Sequence, residues 1–282
     1  MASHVTRARS ARRVLLLLVA SLAVAGCGGG STLSFDPAAS AATTSDAGTA
    51  KVAFDTAVNA AGQNLHMTGE GAVDFERRAA TMTFDVGDLL QASGLPAAAG
   101  ERWTILTNGL LVYMRAPALA RQLPGGKEWL KLDVEQLAKS RNVDLGQLRQ
   151  LTQNDPTQML DYLKAVSGKI EEVGSEDVRG VATTHYRAKV DLDKVADQAP
   201  ANAREAFRSS IRSLERGLGG HEVPIDVWVD SDNRVRRLAE HLTVALGGDV
   251  DFTVDFFDFG TPVSVTTPPA ADTTDLGPLL GG

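Results

Sequence analysis

Few residues in this 282-residue chain are of types, and at spacings, that could do chemistry. Cys27 is the single cysteine, so it is the one thiol available for attack, ligation or covalent modification. His66, His185, His221 and His241 are scattered, with no His-Glu-x-x-His pair and no other metal-ligand spacing. Ser167-Gly168-Lys169 fails as a phosphate loop, because Ile170 follows the lysine and Leu163 stands where the first glycine belongs. No Gly-x-Ser-x-Gly nucleophile elbow occurs. Asp230-Ser231-Asp232-Asn233 starts like a calcium loop. Val235 then occupies the glycine position and His241 the closing glutamate position, so turn formation explains these residues better. Neither a catalytic group, a metal nor a cofactor is expected, and the chain does not read as an enzyme.

The front end of the chain gives Cys27 a different chemistry. Arg7, Arg9, Arg12 and Arg13 precede a twelve-residue apolar run, Val14 to Ala25. Twelve helical residues reach about 18 Å, short of a hydrocarbon core of roughly 30 Å, so the run is no stable span. A basic, then apolar, then small-residue order is that of a secretory signal peptide, here residues 1–26. The ending Val24-Ala25-Gly26-Cys27 resembles the lipobox of bacterial lipoproteins. That resemblance implies cleavage after Gly26 and a diacylglyceryl group on the Cys27 sulfur. Two acyl chains, at about 0.8 kcal/mol per buried CH₂, suffice to hold a protein at a membrane. The expected location is the extracytoplasmic face of the cell membrane, with the lipid anchor as the membrane contact.

Composition agrees with export of a folded domain. The chain is 43% hydrophobic and 22% charged, which fits a globular class and excludes wholesale disorder. Its formal net charge of -7 becomes -11 once the four leading arginines are removed. That balance repels phosphate backbones, so no nucleic-acid partner is expected. Residues 27–47 are rich in Gly, Ser, Ala and Thr and read as a lipidated cysteine followed by a flexible tether. Pro262 opens a Thr/Pro/Gly-rich stretch, and residues 263–282 read as a disordered tail. The foldable unit is then 48–262, one domain.

Inside that unit the elements follow from hydrophobic period. Phe54, Val58 and Ala61 are spaced for an entry helix. The period becomes two from Leu65 to Phe75 and again around Met82, Phe84 and Val86. Asn108-Gly109 lies between two apolar runs and predicts a hairpin. Asp155-Pro156 opens a helix whose stripe runs from Met159 to Val166 and ends at Gly168. Lys169–Val173 and Ala182–Val190 are strands, 201–217 is a helix, and the last third, with turns at Ser231-Asp232-Asn233 and Gly247-Gly248, is sheet. Half-buried strands interleaved with amphipathic helices argue for an α+β fold: a large curved antiparallel sheet with helices packed on its apolar, concave face.

The inner face collects Met67, Phe75, Met82, Phe84, Trp103, Ile105, Val112 and Met114 from the first half. Tyr186, Val227, Val229, Leu242, Val244, Phe252, Val254 and Phe256 come from the second. His66, His185, Asp251, Thr253 and Asp255 fall on the wet face. Gly69 and Gly71 sit among the apolar positions and would leave space there. Period alone leaves these residues open between a packed core and the lining of a cavity.

Three stretches carry a family resemblance. They are Val173-Gly-Ser-Glu-Asp-Val-Arg-Gly-Val-Ala-Thr-Thr-His-Tyr-Arg-Ala-Lys-Val-Asp-Leu192, Val223-Pro-Ile-Asp-Val-Trp-Val-Asp230 and Arg234-Val-Arg-Arg-Leu238. With the lipobox they resemble the actinobacterial LppX/LprA/LprF/LprG lipoproteins, which share the half-barrel of the LolA and LolB carriers. The resemblance implies that the sixteen inner-face residues line a cavity for the acyl chains of a lipid or glycolipid. It also implies carriage or transfer within the cell envelope, with an envelope transport partner. A scaffold or sensor lipoprotein with a solid core is the alternative on the same fold.

Overall fold

A computed structural model describes residues 35–60, 63–92, 101–120, 126–140, 160, 163–197, 204–205, 208–209, 211–212, 215, 220–243 and 248–277. Strands β1 (Thr49–Ala60), β2 (Gln63–Asp74) and β3 (Ala79–Asp85) form a meander. It continues through β4 (Arg102–Asn108), β5 (Leu111–Arg115) and β6 (Trp129–Asp133). A second meander is made by β7 (Val166–Val178), β8 (Val181–Asp191), β9 (Glu222–Asp230), β10 (Val235–Thr243) and β11 (Gly248–Phe257). It joins the first where β11 pairs with β1. With β12 (Thr273–Asp275) on β6, the described strands make one 12-stranded sheet, order β12-β6-β5-β4-β3-β2-β1-β11-β10-β9-β8-β7. Every pairing is antiparallel except that last one. The α+β class and the long curved sheet expected from the sequence are what the chain forms.

The helices described end to end are short: α1 (Pro37–Ser45), α2 (Gly87–Ala92), α3 (Pro117–Ala120), α4 (Val134–Ser140) and α5 (Leu192–Asp197). Ala41 of α1, Leu192, Val195 and Ala196 of α5, and Leu160, Leu163 and Ile211 are buried in one cluster with the apolar face of β1 and β8–β11. Among the described residues no helix is long and apolar enough to cross a membrane.

Several expectations are corrected. Residues 37–45 are helix rather than tether, so the folded unit begins at Phe35. Asp36 caps α1 by accepting the Ala38 and Ala39 N–H groups at 3.0 and 3.1 Å, and Pro37 follows the cap. Small size lets α1 lie close on the sheet: Ser40, Ala41 and Thr44 are buried. The Thr44 hydroxyl then accepts the Val235 N–H at 2.8 Å, beside the irregular register of β10 between Val235 and Arg237. The entry helix predicted around Phe54 is instead β1, in which Val52 and Phe54 are buried on one face.

The stretch from Val166 to Gly168, expected to close a helix, already belongs to β7, after a 3₁₀ turn at Leu163–Ala165. Half of that predicted helix, and most of the one at 201–217, lie outside the described residues. The tail is not all irregular either, since β12 covers the free edge of β6. Lys131 donates to Asp275 at 3.2 Å, Lys127 to the Thr273 carbonyl at 3.0 Å, and the Leu276 N–H to the Lys131 carbonyl at 2.8 Å. An unpaired strand edge is costly to leave open, and three residues close this one.

Gly69 and Gly71 do not leave room. A Cβ on Gly69 would stand 2.2 Å from Cζ of Phe54, whose ring fills that position. One on Gly71 would stand 2.0 Å from the Thr81 carbonyl oxygen. A ring tip can move but backbone cannot. Gly71→Ala is therefore expected to lower stability by about 2–3 kcal/mol and Gly69→Ala by roughly 1 kcal/mol, read by denaturant unfolding. Equal costs would contradict this packing.

Candidate functional site

Register sorts side chains onto two faces, because directly paired residues point the same way. On the apolar face Leu130, Met114, Ile105 and Met82 lie opposite one another across β6 to β3, and the row continues through Gly71, Val52 and Phe256. The neighbouring row runs Trp103, Phe84, Gly69, Phe54, Val254, Leu238, Val227 and Tyr186. Phe54 and Phe84 touch with centroids 4.7 Å apart, and Phe35, ahead of α1, stacks on Tyr186 at 4.3 Å.

The sixteen predicted inner-face residues divide by burial. Met82, Val227, Val229, Val254 and Phe256 are buried in the central cluster. Met67, Phe75, Phe84, Tyr186, Leu242 and Phe252 are half-buried against it. Trp103, Ile105, Val112 and Met114 share the face but lie beyond the cluster, also half-buried. Val244 falls outside the described residues, as does Cys27. The face is thus solid under α1 and α5 and part-open along β3–β5 and at one end of β1, β2, β10 and β11.

One residue was missed. Glu240 is directly opposite Phe252 on β11 and Ile225 on β9, so it stands on the apolar face between Leu238 and Leu242. Counting by two from Leu238 to Leu242 passes through position 240, so the signal was in the sequence. Burial pushes its carboxyl up to about 7.

The opposite face is polar and densely paired. Asp255 is almost fully buried and accepts from Arg237 at 2.6 Å and Arg179 at 2.9 Å. Burial opposes its ionisation, but the hydrogen bonds and charges of Arg237 and Arg179 prevail and hold it below the usual carboxylate range. Asp255 was expected to be wet. It is covered because Arg179, in the β7–β8 turn at φ 52°, reaches over β11 and caps the Phe257 ring at 4.1 Å.

His185 stacks on Trp228 at 4.1 Å and meets Asp226 at 2.6 Å, while His66 meets Asp55 at 2.9 Å. Both histidines lie on the polar face and form carboxylate pairs. His241 is raised by its hydrogen bond to Asp251. Asp230 closes its turn by accepting the Asp232 and Arg234 N–H groups, both at 2.9 Å, which is the turn role expected. No cluster of metal-ligating side chains occurs among the described residues.

A groove of about 420 Å³ opens on this polar side. Arg102, Arg179 and Arg237 line it together with Asp55, Glu70, Asp85 and Asp255, and none of the sixteen predicted residues takes part.

Glu240 gives a pH signature. Its folded value, about 7, lies above the ordinary 4.5, so the unfolded chain releases this proton first as pH rises. Stability is therefore lost between about pH 4.5 and 7 and stays low above that. Glu240→Gln should stabilise the fold by roughly 2 kcal/mol at pH 8 and by little at pH 5, as read by denaturant melts. A gap independent of pH would contradict this placement.

No family model matches the chain. A Streptomyces griseus protein, uncharacterized and encoded between rplA and rplJ, is 30% identical over 160 residues, 55% of this chain and 50% of its own length. A Streptomyces coelicolor protein provisionally named a lipoprotein is 26% identical over 158 residues, 55% of this chain and 45% of its own. The chain thus spans about half the length of the curated relatives it matches. Among solved structures it is similar to the Mycobacterium tuberculosis lipoprotein LppX, at 16% identity and a TM-score of 0.45, over 82% of this chain and 98% of that one. LppX is among the lipoproteins that the three sequence stretches resemble.

Proposed function

We propose that this chain is a membrane-anchored, extracytoplasmic lipoprotein that holds acyl chains of lipid or glycolipid against its apolar sheet face and passes them on within the envelope. The observation that carries this reading is the part-open apolar strip. Ile105, Met114, Phe84, Trp103, Met67 and Phe252 are large, share one face and are only half-buried. Acyl binding needs little beyond such a surface and a few polar groups near its mouth. The leader and the Val24-Ala25-Gly26-Cys27 sequence support the anchor, as does the name given to the Streptomyces coelicolor relative. Transfer then involves no bond-making: burial supplies affinity, and displacement of covering segments releases the chain. The scaffold alternative draws on the ring of Phe54, which fills the space beside Gly69, and on the five inner residues that are wholly buried.

Two measurements separate these readings. Residues 35–282, which form one compact unit around the central core, should carry lipid-sized adducts in native mass spectrometry. Ile105→Trp should at least halve that occupancy with a melting shift of a few degrees, whereas Val254→Trp should overpack the core and destabilise by about 1–3 kcal/mol. Adduct-free wild-type protein would favour the solid scaffold. Separately, metabolic labelling with palmitate should mark the wild-type chain and not Cys27→Ser. Equal labelling of both would remove Cys27 as the anchor.

A further inference from the structure

Glu240 narrows the ligand. It occupies a position where the sheet's own packing calls for an apolar side chain. Ile225 and Leu238 beside it are wholly buried, and Phe252 and Leu242 pack against the same core. The charged neighbours on its strand, Arg237 and His241, alternate to the other face, where they meet Asp255 and Asp251. Among the described residues no hydrogen bond or ion pair reaches the Glu240 carboxyl. The polar groove is behind the sheet and does not include it. Among the described residues this carboxyl has no counter-charge, so ionising it against the apolar wall is costly. A leucine here would serve a packed face better. What the carboxyl adds is a strong acceptor on a wall otherwise made of apolar side chains and the Thr56 hydroxyl, opposite Phe252.

We propose that Glu240 is the polar anchor of the apolar face, accepting a hydrogen bond from a hydroxyl or N–H group carried by an otherwise apolar acyl lipid. The inference rests on the lipid-binding reading above and adds to it the chemistry of the cargo. The alkyl part lies along Phe252, Met67 and Leu242, and the donor group stops at Glu240. Lipids without a donor bind the same strip with no such fixed point, so the carboxyl selects among chains of equal length. A sugar hydroxyl and a hydroxyl on the acyl chain present the same donor.

The test compares two probes of matched length, 1-hexadecanol and hexadecyl methyl ether, which differ in the donor alone. Dissociation constants are measured on residues 35–282 by native mass spectrometry. Wild-type protein is expected to bind the alcohol about tenfold more tightly than the ether, the size of one hydrogen bond to a charged acceptor. Glu240→Leu should bring that ratio to near one while ether affinity holds or rises, and Glu240→Gln, which keeps an acceptor, should retain part of the preference. Equal binding of both probes by wild-type protein, or a preference that survives Glu240→Leu, overturns the anchor while leaving lipid binding intact. Failure of wild-type protein to bind either probe overturns the lipid-binding reading and the anchor with it.

Discussion

A single sheet has two faces, and successive residues of a strand must go to opposite ones. Everything distinctive in this molecule follows from that alternation carried across twelve strands. One face collects valines, leucines, methionines and aromatic rings; the other collects carboxylates and guanidinium groups. No second sheet covers the apolar side among the described residues, so short helices must do so. The described ones cover it unevenly. Under α1 and α5 the face is a dry core, while along β3–β5 large apolar side chains remain half-buried. The proposed lipid binding depends on that unevenness.

The covering helices succeed where they do because their residues are small. In α1, Ser40, Ala41 and Thr44 let the backbone approach the sheet, and the Thr44 hydroxyl satisfies the Val235 N–H next to the irregularity in β10. A buried donor left unpaired there would cost about 1–3 kcal/mol. The Ser40 hydroxyl also donates to Asn233 at 2.6 Å, tying the helix to the β9–β10 turn. The same segment that begins the folded unit thus repairs a defect in the far half of the chain.

Across the sheet the polar face is held by shared carboxylates rather than by isolated pairs. Asp255 takes two arginines, Asp230 closes a turn and also accepts Arg236 at 2.6 Å, and Asp226 serves both His185 and Arg187. Arg179 brings the tip of the β7–β8 hairpin over β11, and the Trp228 indole donates to Glu176 of the same hairpin. Exposed pairs contribute little, but carboxylates buried beneath two donors fix which strands lie together. Glu240 stands outside this economy. It is on the wrong face for any of these partners.

Local periodicity was enough to read most strands, the Asn108-Gly109 hairpin, the two-faced sheet and the apolar identity of its inner side, because alternation is a property of consecutive residues. It misread β1 as a helix, since Phe54 and Val58 suit either period until a neighbouring strand is present. It discounted α1 and β12 for the same reason: Ala, Ser and Thr are poor core formers alone and good ones against a sheet, and a strand edge to be closed is invisible in sequence. Glu240 lay within reach of the count and was passed over. The proposed leader and the proposed anchor at Cys27 rest on sequence entirely, since they are read as linear order. Which apolar side chains are packed and which are left part-open was decided by tertiary structure, because burial depends on what lies across the sheet and not on what comes next in the chain.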